Sequence, residues 1–174
     1  ANRGYKDTIF RWIFSDKENL LSLYNAIAGK DYKDPEKLTI VTLENAVYMG
    51  MKNDLAFVLE TGLYLYEHQS TYNPNIPLRD LFYIASEYQK FVDQKSLYSS
   101  SVQKIPTPRF LVFYNGMDKK VQDREVLKLS SMFENETEEP DLELIVTMLN
   151  INAGHNKELL ENCHILGEYA QYVD

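Results

Sequence analysis

The stretch that most constrains the fold is "NDLAFVLETGLYLYEHQS", Asn53 to Ser70. Two runs of strand-forming residues flank "ETG", which predicts a hairpin with strands over 53–59 and 63–70. A sheet core has no use for an aspartate near the start of such a run, or for Glu-His-Gln at its end. Side chains alternate along a strand, so Glu67 and Gln69 share a face while His68 points the other way. If Thr61 and Gly62 form a two-residue turn, Glu60 faces Leu63, Ala56 faces Glu67 and Asp54 faces Gln69. Asp54 is then diagonal to Glu67 on one face, at about 7–8 Å. Two carboxylates at that separation can ligate one divalent cation. A three-residue loop would instead set Asp54 opposite His68, unless a bulge corrects the register. The ordinary alternative is a solvated strand end, with all four polar groups in water.

The rest of the chain supplies helices and further strands around this hairpin. "YKDTIFRWIF" places Ile9, Trp12 and Ile13 at helical spacing, with Phe10 widening the stripe. "SDKENLLSLYNAIAGK" predicts a second helix, capped at Ser15 or Asp16 and stopped at Gly29. "KLTIVTLENA", residues 37–46, reads as a strand. "IPLRDLFYIASEYQKFVDQ" is the clearest helix, entered at Pro77, with Leu78, Leu81, Phe82, Ala85, Tyr88 and Val92 along its apolar face. Residues 94–104 read as a polar loop. "PRFLVFYNG" reads as a central strand covered on both faces. "REVLKLSSMF" reads as extended, "LELIVTMLNIN" as another buried strand, and "HNKELLENCHILGEYAQYV" as one terminal helix. The order predicts an α/β fold, a mixed central sheet with an antiparallel hairpin flanked by helices.

The 174 residues suffice for one core and predict a single domain over 1–174. The sequence opens without Met and stops inside a helical pattern, so it reads as a trimmed piece of a longer chain. No apolar run approaches the ~20 residues of a membrane helix, and no membrane partner is expected. One cysteine, Cys163, rules out an internal disulfide and a thiolate metal cluster, and points to a cytoplasmic setting. The net charge of −8 argues against gripping DNA by phosphate neutralisation over the whole surface.

Asp54, twelve intervening residues with a turn, and then "EHQ" resembles the D-(x)n-(D/E)xK signature of the restriction-endonuclease-like nucleases, with Gln69 where most members carry lysine. "KDTIFRWIFSDKENLLSLYNAI", "NDLAFVL…YLYEHQS", "PLRDLFYIASEYQKFV" and "PTPRFLVFYNG" together resemble the recombination-promoting nuclease and transposase-like family of that superfamily, over most of residues 5–150. The resemblance implies a restriction-endonuclease-like core and a DNA endonuclease tied to mobile elements or recombination. It implies Mg²⁺ as cofactor, with Mn²⁺ as a substitute, and DNA as partner. By position, Asp54 and Glu67 match the metal-binding acidic pair. The backbone carbonyl of His68 matches a third oxygen ligand, and Gln69 the residue that orients the attacking water. A hard cation suits such oxygen donors, and it polarises a phosphate while acidifying a bound water. Glutamine lacks lysine's charge, so the metal must supply more of the electrostatics.

Asp7 and Glu44 are candidate further acids. Arg79 and Tyr83, four apart on one helical face, are candidates to contact phosphate or support Glu67. Lys90 is a candidate substitute for the missing lysine. His155 and His164, nine apart, lack the spacing of paired ligands on one helix face. Cys163 reads as a buried, inert thiol, and "NETEEPDLE" as a solvated acidic loop. Tyr64 and Tyr66 share a strand face pointing away from Glu67. Against the nuclease stands a second class, a binding or regulatory module that keeps the fold with weak or no cleavage; the acidic charge favours it. Nuclease folds often dimerise to cut both strands, which makes a homodimer a further expectation.

Overall fold

The structure, a computed structural model, describes residues 4–41 and 54–173. Helix α1 covers Gly4–Phe14 and α2 Lys17–Ala28. The break between them is made by Asp16, whose carboxylate accepts from the amides of Glu18 and Asn19 at 2.9 and 3.1 Å. These are two of the donors a helix start leaves unpaired. Gly29 ends α2 in the left-handed conformation, φ 63°, as the sequence predicts.

Strand β1 covers Leu38–Val41, β2 Leu55–Leu59 and β3 Gly62–Gln69. The remainder of the strand expected over 37–46, and Glu44 with it, lies outside the described residues. Helix α3 is Ile76–Phe91, followed by a 3-10 turn at Gln94–Tyr98 and strand β4, Thr107–Tyr114. Strand β5 is Arg124–Lys128, and a 3-10 turn at Leu129–Met132 leads toward β6, Ile145–Asn150. The expected single terminal helix is instead two, α4 at Lys157–Asn162 and α5 at His164–Val173. The break falls at Cys163, which leaves helical geometry (φ −117°, ψ 93°) while its side chain stays buried beside Ser22.

The six strands form one mixed sheet in the order β1-β2-β3-β4-β6-β5. The first three make an antiparallel meander, and β5 pairs antiparallel with β6. Strands β3, β4 and β6 run parallel. Parallel neighbours need a crossover connection, and α3 provides the one from β3 to β4. Strand β4 is central, as its nearly unbroken apolar sequence predicts.

Alternation along the strands divides the core in two. One face packs Leu55, Phe57, Leu59, Tyr66 and Phe113 against α1, α2 and α5. The other packs Ala56, Leu63, Leu65, Val112 and Met148 against Ile76, Tyr83 and Ile84 of α3. The apolar face expected for α3 is corrected here. The buried positions are Ile76, Pro77, Asp80, Tyr83, Ile84 and Glu87, and Phe82 is 56% exposed. The helix is rotated so that polar side chains enter the interior, and Leu78, Leu81 and Tyr88 only flank the core.

Phe10 is the hub of the first face, with ring centroids 4.7 Å from Phe14, 5.3 Å from Phe113, 5.7 Å from Tyr169 and 5.2 Å from His68. Phe10→Ala is expected to cost about 3–5 kcal/mol of unfolding free energy, the range for a fully buried aromatic. Urea denaturation measures it, and a loss below about 1 kcal/mol would contradict this packing.

Candidate active site

The turn falls one residue earlier than Thr61-Gly62, so each β2 residue pairs two positions earlier on β3 than that turn gives. Leu59 pairs with Gly62, Phe57 with Tyr64 and Leu55 with Tyr66, so the turn residues are Glu60 and Thr61. Glu60 takes the left-handed backbone there, φ 53°, a conformation uncommon outside glycine. Gly62 has a different task. A Cβ on it would lie 2.5 Å from the hydroxyl oxygen of Tyr64, so its missing side chain makes room for that ring. One residue beyond Leu55 and Tyr66, the same register sets Asp54 directly opposite Glu67 rather than diagonal to it. Directly paired residues bring their Cβ atoms to about 4.5–5.5 Å, closer than the diagonal arrangement.

None of the four polar residues is solvated. Asp54, Glu67, His68 and Gln69 are 3%, 6%, 2% and 7% exposed, which overturns the solvated strand end. Glu67 and Gln69 share the α3 face as alternation requires, and Gln69 Nε2 donates to Glu67 Oε1 at 2.8 Å. Arg79 Nη2, from the first turn of α3, donates to the same oxygen at 2.9 Å and lies 4.0 Å from Asp54 Oδ2. Two donors therefore converge on one oxygen of Glu67 and leave the other, Oε2, without a partner. Asp54 Oδ2, Gln69 Oε1, Asp80 Oδ1, Tyr83 Oη and Glu87 Oε2 also lack hydrogen-bond partners. Among the described residues, every buried side-chain oxygen or nitrogen without a partner belongs to Asp54 just ahead of β2, to β3 or to the inward face of α3.

Burial pushes the Asp54 carboxyl well above the ordinary carboxylate range; the neighbouring charges of Glu67 and Asp80 add to this, and Arg79 and Arg11 oppose it. Asp80 is likewise raised, by burial first and by Glu67 second, with Arg79 opposing. The Tyr83 hydroxyl is raised by burial and by Glu87, Asp54 and Asp80. The interior side of α3 is thus an acidic pit, and Arg79 is the only cation among the described residues within ion-pair distance of Asp54 or Glu67. Among those residues no three His, Cys, Asp or Glu groups stand together so as to hold a metal ion. The unpartnered oxygens of Asp54 and Glu67 still fit a hard cation, since Mg²⁺ uses one or two carboxylates and fills its shell with water or substrate oxygens.

His68 faces the opposite side of the sheet. Its ring is fixed by Asp7 of α1, 2.7 Å from Nδ1, and by the Tyr169 hydroxyl of α5, 3.1 Å from Nε2. That hydroxyl also donates to the Lys6 carbonyl at 2.9 Å. Burial lowers the His68 pKa, with the Asp7 hydrogen bond opposing. The imidazole and Asp7 are therefore turned away from the pit, and Asp7 is not a third carboxylate in it. Lys90 pairs with Glu87 at 3.0 Å, leaving Arg79 as the basic group beside Glu67. His155 pairs with Asp123 at 2.5 Å, far from His68 in the chain, and Cys163 is buried. A groove of about 920 Å³ lined by Tyr64, Tyr88 and Arg109 contains none of the pit residues. The sequence reading missed Asp80 and Glu87, although their spacing with Tyr83 puts all three on one helix face. It also missed Tyr169. No family model, curated protein or solved structure matches the chain.

Asp80 gives a test of the pit's electrostatics. Its folded-state pKa is raised above the ordinary 3.8, so the folded chain holds a proton that the unfolded chain releases. Stability must then fall as pH rises from about 4 through the folded pKa. Asp80→Asn is expected to raise stability at pH 8 by about 1–3 kcal/mol, the range for an unsatisfied buried group, with the gain shrinking toward pH 4. Urea titrations at several pH values measure it; a variant less stable at pH 8 would contradict the arrangement.

Proposed function

We propose that the chain is a divalent-cation-dependent DNA endonuclease of the restriction-endonuclease-like class, hydrolysing phosphodiester bonds, and associated with mobile elements or recombination. The observation that carries this reading is the Asp54–Glu67 pair: two carboxylates, one just ahead of β2 and one on β3, set opposite each other by the hairpin register, buried, each with an oxygen that lacks a hydrogen-bond partner. Supporting it is the order of elements. An antiparallel meander β1-β2-β3, a crossover helix and a parallel β4 put the acidic pair in mid-sheet beside that helix.

In this reading Asp54 and Glu67 hold Mg²⁺ or Mn²⁺, with the His68 carbonyl as a further oxygen donor. The cation supplies a Lewis acid for the scissile phosphate and lowers the pKa of a bound water. Gln69 does its work through its free carbonyl Oε1, which can accept a hydrogen bond from the attacking water and so orient it, while its amide holds Glu67. Arg79 contributes the fixed positive charge that Gln69 does not. Arg11 on α1 adds positive charge by acting electrostatically on Asp54. Asp7, Tyr169 and His68 hold the strand between Glu67 and Gln69 from behind.

The second reading, a module that keeps this fold and binds without cutting, is favoured by one observation, the lack of a third converging ligand among the described residues. Plasmid cleavage separates the two. Supercoiled DNA is expected to be nicked in Mg²⁺ and in Mn²⁺ and left intact in EDTA. Asp54→Ala and Glu67→Ala are each expected to lose at least the roughly 10–100-fold that removal of even an outer-shell metal partner costs. Folded wild type and variants that are equally inactive in both metals would leave the module reading.

A further inference from the structure

The position of Arg79 has a consequence for the same site, and it rests on the cation reading above. Its guanidinium lies 2.9 Å from Glu67 Oε1 and 4.0 Å from Asp54 Oδ2, between the two carboxylates proposed to share a cation. Its side chain is 27% exposed, whereas those of Asp54 and Glu67 are 2% and 8% exposed. The guanidinium is thus engaged with buried carboxylates while the side chain as a whole keeps partial access to solvent. No other described cation can take its place. Lys90 is held by Glu87 at 3.0 Å, and Arg11 reaches Asp54 only through the field.

We propose that Arg79 is a built-in surrogate for the divalent cation: its guanidinium supplies the positive charge beside Asp54 and Glu67 when the site is metal-free, and cation binding displaces it outward. Two positive groups cannot share this space without strong repulsion in a poorly solvated setting. The exchange keeps a positive charge beside both carboxylates, the guanidinium before and the metal after. It also frees a planar, permanently charged group at the edge of the site, suited to pairing with a phosphate of the incoming nucleic acid. This supplies, from α3, the charge that the strand position of Gln69 lacks. Arg79 is thereby a positioning residue in the metal-free protein and a phosphate ligand in the loaded one.

The test is calorimetric titration of Mn²⁺, and separately of Ca²⁺, into the wild-type chain, Arg79→Met and Arg79→Lys, with no DNA present. Arg79→Met is expected to bind Mn²⁺ at least about tenfold more tightly than wild type, because a competing charge is gone. Arg79→Lys keeps the charge without the planar fork, and is expected to bind at least as tightly as wild type; it serves if the Met variant does not fold. Equal or weaker Mn²⁺ binding by Arg79→Met overturns the exchange and leaves the cation reading standing. If only the Lys variant folds, weaker binding by it does the same. Absence of Mn²⁺ uptake by wild type and both variants removes the cation reading, and the exchange with it. A second readout is DNA affinity in Ca²⁺ against EDTA: the gain on adding Ca²⁺ is expected to shrink in Arg79→Met, and an unchanged gain would overturn the phosphate role.

Discussion

Two carboxylates set opposite one another, at the entry to β2 and on β3, and closed off from water are unfavourable neighbours unless something positive lies with them. In this chain that something is one guanidinium, Arg79, and its reach explains much of what surrounds it. Helix α3 must present its first turn to Asp54 and Glu67, so its inward face is fixed by an ion pair as much as by apolar packing. Asp80, Tyr83 and Glu87 then follow into the interior at helical spacing, and one cation cannot satisfy all of them. The result is a pit that holds all the unpartnered buried side-chain oxygens found among the described residues. Such groups destabilise a fold, and their concentration at one place is what the proposed function would account for.

Strand β3 is where the two faces of the molecule meet. Its odd positions, Glu67 and Gln69, enter the acidic pit. Between them His68 is clamped on the other face by Asp7 and Tyr169, which joins α1 and α5 to the same short segment. Phe10 stacks on the same imidazole. Residues near both ends of the chain therefore steady the backbone that carries the polar pair, without entering the site themselves. A hydrogen-bonded clamp of this kind restricts the rotamers and backbone freedom that would otherwise blur a site's geometry.

Local chemistry made much of this legible in the sequence. Asp16 and Gly29 mark the ends of α2, the apolar run at residues 109–114 marks a central strand, and strict alternation separates Glu67 from His68. What was not legible depended on tertiary contacts. Gly62 looks like a turn glycine, yet it leaves room for the Tyr64 ring, and that misreading moves the pairing by two residues. The face of α3 was read from its hydrophobic residues, while Arg79 and the polar residues at 80, 83 and 87 decide its rotation. Asp7 has the charge of a metal ligand but is claimed by His68 on the far face. Cys163 interrupts what periodicity reads as one helix, because its side chain is buried beside Ser22 as the backbone leaves helical geometry. The acidic pair itself was visible as a pattern, but its burial was not.

The measurement that bears most directly on the central claim is anomalous diffraction at the manganese edge from crystals grown with and without Mn²⁺. The account expects an anomalous peak within about 2.0–2.2 Å of carboxylate oxygens from both Asp54 and Glu67, as for a small hard cation, with the Arg79 guanidinium withdrawn from Glu67 only in the metal-bound crystal. A map without a peak there, and with Arg79 still on Glu67 in saturating Mn²⁺, would contradict it.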